Sequence, residues 1–390
     1  MVKKSNFTSK NNSYLIWAID NVLKILFTLF HFVGLPRIKK GTKNRVIFLE
    51  FAHLGDALML TPAIRFAKQE KKDFEIICFA SSSGAKAFVN NPFVSQVKII
   101  DLPWYEGRRK FSSRIIKQFL LLVKEIKKSD VETITNFRST SYHYEHLAMW
   151  LAGVPHRIGF AHKGFGYLLT QEIKFKSNTL IAQQKLNVIN NFWGMGENNF
   201  SLKPNYFIKD QAIESGSAIY NKLNLNKSKK KIGINISAQH NFLWPEEHWI
   251  ELLKLLNGLN VELVFLGPNN FIHIYEIISN QLTFNIHSLV GETTLDELAV
   301  ILTKLDLLIT IDTGIRHLAN ALAVPIIVLR NGANSIEEFG QYVVTEEVIF
   351  NKVSCSPCGR NICPLGTLEC MTGITHELVF AQAKEMLNEK

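Results

Sequence analysis

The chain is short of cysteine, of acidic charge and of charge-free apolar runs, and each shortage narrows what it can be. Five cysteines occur in 390 residues. Cys78 sits in an apolar strand-like run and reads as inert core, while Cys355, Cys358, Cys363 and Cys370 crowd together near the C-terminus. No small-residue cleavage site follows the N-terminal apolar stretch, so no secretory leader is expected and the chain is expected to fold in a reducing cytosol. There a C-x2-C spacing points to metal or reduced thiols before disulfides. Acidic residues number 34 against 44 Lys and Arg, for a net charge of +10. That balance favours an anionic partner, a lipid surface or a phosphorylated substrate. No RRM, KH or zinc-finger signature accompanies it, so nucleic acid is not expected as a partner. What is abundant is apolar: 47% of residues are hydrophobic and 20% charged, the profile of a globular chain able to bury sizeable cores, with a length suited to about two domains.

Tyr14 to Val33 approaches the length of a membrane span. It carries a polar stripe at helical spacing, Asp20, Asn21, Lys24, Thr28 and His31, opposite Leu15, Ile16, Ile19, Leu23, Leu26 and Phe30. A spanning helix would strand Asp20 and Lys24 in hydrocarbon at about 2.5–3.5 kcal/mol per charge. A helix lying in the interface keeps the stripe wet. Lys3, Lys4 and Lys10 before it, with Arg37, Lys39, Lys40 and Lys43 after it, suit an anionic membrane surface. Residues 1–44 are therefore predicted to be an amphipathic membrane-surface segment. The competing reading is an ordinary amphipathic helix docked on the protein's own core.

Beyond Lys43 the pattern alternates strand and helix. Arg45 to Phe51, Phe74 to Ala80, Gln96 to Leu102 and Thr133 to Phe137 read as strands, with helices over Ala57 to Glu70 and Phe111 to Lys128. Residues 201–230, polar and lysine-rich, read as a linker. A second alternating unit follows, with strands at Lys231 to Ser237, Val261 to Leu266, Asn285 to Val290, Leu307 to Ile311 and Pro325 to Leu329. Thr294 and Glu297 form a capping box before a helix from Leu295. The predicted domains are thus 45–200 and 231–375, the latter with the Cys-rich element, followed by a C-terminal helix over 376–390. The alternation implies doubly wound parallel sheets facing each other across a cleft.

Two turns at strand ends carry the chemistry. Asp312-Thr313-Gly314 ends an apolar run and opens a helical pattern containing His317, which aims backbone N–H groups and a positive helix end at a place suited to phosphate. Taken alone, Asp312 or Thr313 could merely cap the helix and His317 could be a packed histidine. Gly55-Asp56 follows the first strand, where a carboxylate can act as general base or simply cap.

Together these motifs resemble a known family. G-D-x4-T-P (Gly55 to Pro62), W-P-x3-W (Trp244 to Trp249) and D-T-G-x2-H-x-A-x-A-x3-P (Asp312 to Pro325), with Arg157-Ile158-Gly159, are similar to the bacterial heptosyltransferases of glycosyltransferase family 9. The resemblance runs from about residue 45 to the end of the chain. It implies a GT-B architecture: an α/β fold of two Rossmann-like domains, the first for the acceptor and the second for the donor, here with an added N-terminal amphipathic helix. It implies inverting sugar transfer with no catalytic metal and no cofactor, the nucleoside-diphosphate sugar being the substrate. The acceptor is expected to be an anionic glycolipid, a lipopolysaccharide core or other lipid-linked saccharide, reached at the cytoplasmic face of the inner membrane.

By position, Asp56 matches the base that takes a proton from the acceptor hydroxyl. Thr313 and Gly314 match the donor-diphosphate loop, His317 a phosphate donor, and Ser237 a hydroxyl offered to the phosphates. Asp312 is expected to cap the helix or accept from a sugar hydroxyl, since like charges keep it off the diphosphate. Gly55, Arg138 and Arg157 are the acceptor-side candidates. Cys355, Cys358, Cys363 and Cys370 suit either reduced packing thiols or a structural zinc. The chain departs from the family pattern where a basic residue commonly precedes Trp244: Phe242 and Leu243 stand there. His240, Arg316 or Arg330 are the candidates to compensate. That departure supports one alternative, a catalytically weakened GT-B scaffold, and the shared architecture a second, a GT-B sugar-nucleotide epimerase.

Overall fold

A computed structural model describes residues 20–22, 24–25, 27–29, 41–103, 113–139, 143–194, 200–237, 243–341, 343, 345–360 and 362–388. The chain divides into two compact units, Met1–Leu202 and Lys203–Lys390.

The first unit is built on strands β1 (Thr42–Glu50), β2 (Glu75–Ala80), β3 (Gln96–Ile99), β4 (Val131–Asn136), β5 (His156–Phe160) and β6 (Gln171–Ile173). They pair in parallel in the order β3-β2-β1-β4-β5-β6. Val46, Ile47, Phe48 and Leu49 are all fully buried. Such an unbroken apolar run is what a parallel strand covered on both faces requires. The order reverses direction between β1 and β4, and in open sheets of this kind ligands bind beyond the carboxyl ends of the strands at that reversal.

The second unit repeats the plan with β7 (Lys230–Asn235), β8 (Val261–Leu266), β9 (His287–Ser288), β10 (Leu307–Ile311), β11 (Ile326–Arg330) and β12 (Glu346–Phe350), ordered β12-β11-β10-β7-β8-β9. Its reversal lies between β7 and β10. Trp244 and Trp249 pack edge to face with centroids 4.7 Å apart in this core, and the Trp244 indole donates to the Ile374 carbonyl at 2.8 Å.

The structure departs from the sequence expectation at particular places. The helix expected over Ala57 to Glu70 is two, Leu54–Leu58 and Thr61–Glu70. Pro62 has no N–H for the Leu58 carbonyl, and the Thr61 hydroxyl takes that acceptor instead at 2.7 Å. The stretch 201–230, read as linker, contains the helix Asp210–Lys222. It lies so close to Leu295–Leu302 that a Cβ on Gly216 would stand 2.9 Å from the Val300 Cβ. Strands β5, β6 and β12 were not expected from the pattern, being short or mixed in polarity.

Residues 20–22, 24–25 and 27–29 are helical. Phe27 packs against Trp150 and Tyr167, each with centroids 5.4 Å away. Asp20, expected on a wet stripe, is half-buried and accepts the Phe165 N–H at 3.1 Å. Burial pushes its carboxyl above the usual range. Val22, Ile25 and Leu29 point outward, 56–64% exposed. Leu15, Ile16, Ile19, Leu23, Leu26, Phe30 and His31 lie outside the described residues. Among the described residues, no helix is long and apolar enough to cross a membrane.

Candidate active site

In the first unit, β1 ends in Glu50 and the chain turns through Phe51-Ala52-His53 into the one-turn helix Leu54–Leu58, which carries Gly55 and Asp56. Gly55 has no left-handed backbone here; it is a buried helical residue. Asp56 is half-buried at the carboxyl edge of β1. Burial raises its proton affinity above that of an ordinary aspartate; Glu50 adds to the effect, while Lys185, Arg138 and His53 oppose it. Such a shift improves a carboxylate as a base.

The turn is held from two sides. The Ser81 hydroxyl donates to the Ala52 carbonyl at 2.8 Å, and Gly84 leaves no room for a side chain, since its Cβ would lie 2.9 Å from that same oxygen. From the other side Lys185, in the helix Ile181–Trp193, donates to the Glu50 carboxylate at 2.6 Å and to the Asp56 main-chain oxygen at 2.5 Å. Sequence reading missed both Glu50 and Lys185. The one signal was a glutamate inside an otherwise apolar strand run.

Arg138 follows β4 at the same edge, near enough to Asp56 for its charge to be felt there. Arg157 does not join it. It sits at the amino-terminal end of β5, 7% exposed, and donates to the carbonyls of Leu168 at 2.7 Å and Val154 at 2.6 Å. Its guanidinium ties the chain to itself, which corrects the expectation of an acceptor contact. A cavity of about 340 Å³ opens at that opposite edge among Arg45, Glu75, Lys98 and Lys128. Its charges pair internally, Arg45 with Glu75 at 2.7 Å and Lys98 with Glu125 at 3.3 Å.

In the second unit, β10 ends at Ile311, and Thr313 opens the helix Gly314–Ala321 with extended backbone and no side-chain cap. The Arg316 N–H is taken by the Thr313 carbonyl at 3.1 Å, and the N–H groups of Gly314 and Ile315 open the helix, an end that favours an incoming acceptor. Ser237 stands at the end of the neighbouring β7. Its hydroxyl donates to Asn235 Oδ1 at 2.5 Å, and Asn235 Nδ2 donates to Thr310 Oγ1 at 2.9 Å. His317 is 7% exposed on the same helix.

Asp312 does not cap the helix. Its carboxylate pairs with Arg330 at 2.5 Å and Arg316 at 3.0 Å. Arg316 also pairs with Glu346 and donates to the Gly340 carbonyl at 2.7 Å. Burial alone would raise the Asp312 carboxyl, but Arg316, Arg330 and His317 outweigh it and hold it below the usual range. Both arginines are fully buried in this network. They are not placed to replace the missing basic residue before Trp244. Leu243 packs against the core, and His240 and Phe242 lie outside the described residues.

Cys355, Cys358, Cys363 and Cys370 are free thiols lining one small cavity of about 30 Å³. Backbone N–H groups from Leu368 and Leu365 lower the Cys363 thiol, and burial raises that of Cys370. Among the described residues, no three His, Cys, Asp or Glu side chains are gathered to hold a metal ion.

Residues 147–369 match the family model of glycosyltransferase family 9 (heptosyltransferase). The lipooligosaccharide heptosyltransferase 2 of Campylobacter jejuni subsp. jejuni serotype O:2 is 24% identical over 344 residues, 86% of this chain and 95% of the relative. A glycosyltransferase family 9 structure from Veillonella parvula superposes with a TM-score of 0.77 at 20% identity, covering 89% of this chain and 98% of the other. The E. coli ADP-heptose lipopolysaccharide heptosyltransferase II gives 0.68 at 18% identity, covering 88% and 99%. At these identities the superpositions speak for the fold.

Proposed function

The chain belongs to glycosyltransferase family 9 and is a glycosyltransferase of the GT-B fold; from that premise we propose that it acts in lipopolysaccharide-core synthesis, by an inverting, metal-independent transfer of heptose or a related sugar onto an anionic, lipid-linked saccharide. ADP-heptose is the donor to test first, since the E. coli relative is described for it. The observation that carries the reading is Asp56: a half-buried carboxylate with raised proton affinity, at the sheet reversal, on a turn held from both sides. In the proposed step an acceptor hydroxyl oxygen attacks the anomeric carbon while Asp56 takes its proton. The bond from that carbon to the diphosphate oxygen breaks, and the leaving group carries the electron pair away as negative charge. The uncapped N–H groups at Thr313 and Gly314, with Ser237 and His317 beside them, are suited to that charge. Arg138 and the turn at Gly55 are the proposed acceptor contacts.

Calorimetric titration with ADP-, UDP- and GDP-sugars, followed by turnover of Asp56→Ala, tests the reading. Binding of one donor and loss of turnover in the variant are expected. Full turnover by the variant removes Asp56 as base. One observation favours a second reading, a scaffold with weakened donor affinity: the apolar Leu243 packs against the core, and Arg316 and Arg330 are committed to Asp312. Absence of donor binding at millimolar concentration would decide for it. The cytoplasmic, peripheral location at the inner membrane is likewise proposed, with Val22, Ile25 and Leu29 as the described outward apolar residues.

A further inference from the structure

The Lys185–Glu50 pair is a costly thing to place in a core. Their side chains are 4% and 1% exposed. Taking both charges out of water offsets most of what their attraction returns, and an apolar pair of similar volume would serve stability as well or better. What an apolar pair cannot do is donate. In the single turn Leu54–Leu58, the Gly55 carbonyl accepts the Met59 N–H at 3.0 Å and the Ala57 carbonyl accepts the Leu60 N–H at 3.1 Å. The Asp56 carbonyl between them accepts the Lys185 ammonium at 2.5 Å. A one-turn helix has little internal bonding to hold its shape, and a charge-assisted bond to one of its carbonyls is about twice as strong as a neutral one.

We infer that Lys185 is the positioning residue of this site: anchored by Glu50 at the end of β1, its ammonium fixes the main chain of Asp56 and so the place of the Asp56 carboxylate. Lys185 touches no reacting atom. The inference rests on the reading of Asp56 as general base. Glu50 has two parts in it. Its carboxylate orients the ammonium, and its charge cancels that of Lys185, which would otherwise make Asp56 a weaker base. The charged groups around Asp56 are Lys185 from the helix Ile181–Trp193, Glu50 from β1, Arg138 after β4 and His53 from its own turn.

The test uses the full chain with Glu50→Gln, the double variant Glu50→Gln/Lys185→Met and Asp56→Asn. The double variant strands no charge and keeps the volume. A displacement of about 1 Å at a reacting group can cost about 100-fold in rate, so its kcat with ADP-heptose and an inner-core acceptor is expected to fall about 10- to 100-fold. The donor KM and ADP binding by calorimetry should stay within about twofold, since those contacts lie in the second unit. Amide hydrogen exchange should quicken over residues 54–60 and not across the rest of the first unit. Glu50→Gln leaves Lys185 uncompensated, so the acid limb of its pH–rate profile is expected at lower pH than in the parent.

Parent-like kcat in the double variant overturns the inference. So does exchange that quickens throughout the first unit, or an acid limb that Glu50→Gln leaves in place. Asp56→Asn separates the two readings: if it turns over normally the base assignment fails, while the exchange result over 54–60 still reports on what Lys185 holds.

Discussion

Asp56 and Asp312 are both aspartates at the carboxyl edge of a parallel sheet, and their surroundings drive them in opposite directions. Asp56 meets burial with partly cancelling charges, so its folded-state pKa lies above the unfolded value. Its ionised form therefore costs stability, a cost that is present at neutral pH and relieved as pH falls through the raised value. Asp56→Asn is expected to abolish turnover while raising the melting temperature at pH 7; scanning calorimetry beside a turnover assay checks this, and a lowered melting temperature contradicts it. Asp312 meets two arginines and its pKa is depressed. Its contribution is fully present above the ordinary aspartate value of about 3.9 and is lost as pH falls through the lower, folded value. Arg316→Met leaves Asp312 and Glu346 short of their shared partner, and a loss of about 3–5 kcal/mol in urea unfolding at pH 7 is expected. A loss below about 1 kcal/mol would be the size seen for an exposed pair and would place the network in solvent.

Elements show where local pattern and tertiary contact part company. The helix Asp210–Lys222 fully buries only Ala212 and Gly216, and it lies between Pro204 and the lysine run Lys229 to Lys231, so the stretch reads as a connector. What makes it an element is the close approach of Gly216 to Val300 and the Glu297 main chain. Gly216→Val is expected to destabilise the second unit by about 1–3 kcal/mol through overpacking, measured as a shift in urea midpoint at unchanged slope. An unshifted midpoint means the helix does not sit there. The break at Pro62 was nearer the surface of the sequence: a proline so early in a helical pattern marks a first turn, and the true start is Thr61 rather than Ala57.

At the scale of the whole molecule, two sheets with the same strand order each place one turn of the proposed chemistry at a reversal of winding. The described residues of the N-terminal helix present two faces. Phe27 and Asp20 bind it to the first unit, while Val22, Ile25 and Leu29, spaced three and four residues apart, stay outside. The triple variant Val22→Asn, Ile25→Asn, Leu29→Asn keeps the docking contacts and removes the apolar stripe. Its binding to anionic vesicles in a sedimentation assay is expected to fall at least about tenfold, since each exposed apolar side chain contributes about 1.5–3 kcal/mol on full burial. Unchanged binding removes this helix as the membrane contact.

Much of this is legible in the amino-acid sequence alone. Unbroken apolar runs alternating with amphipathic stretches made parallel sheets the economical fold, because only strands covered on both faces read that way. Gly55-Asp56 and Asp312-Thr313-Gly314 stood out because a polar turn directly after such a run must lie at a sheet's carboxyl edge. Which charges meet was not legible. Glu50 and Lys185 are 135 residues apart in sequence, and Arg316 and Glu346 are 30 apart. Arg157 looked like a ligand contact and proved to be a tie between β5 and its own flanking loops. Local sequence sets the period of each element and the chemistry at its end. Pairing of distant charges depends on register and winding, and only the folded sheets bring those together.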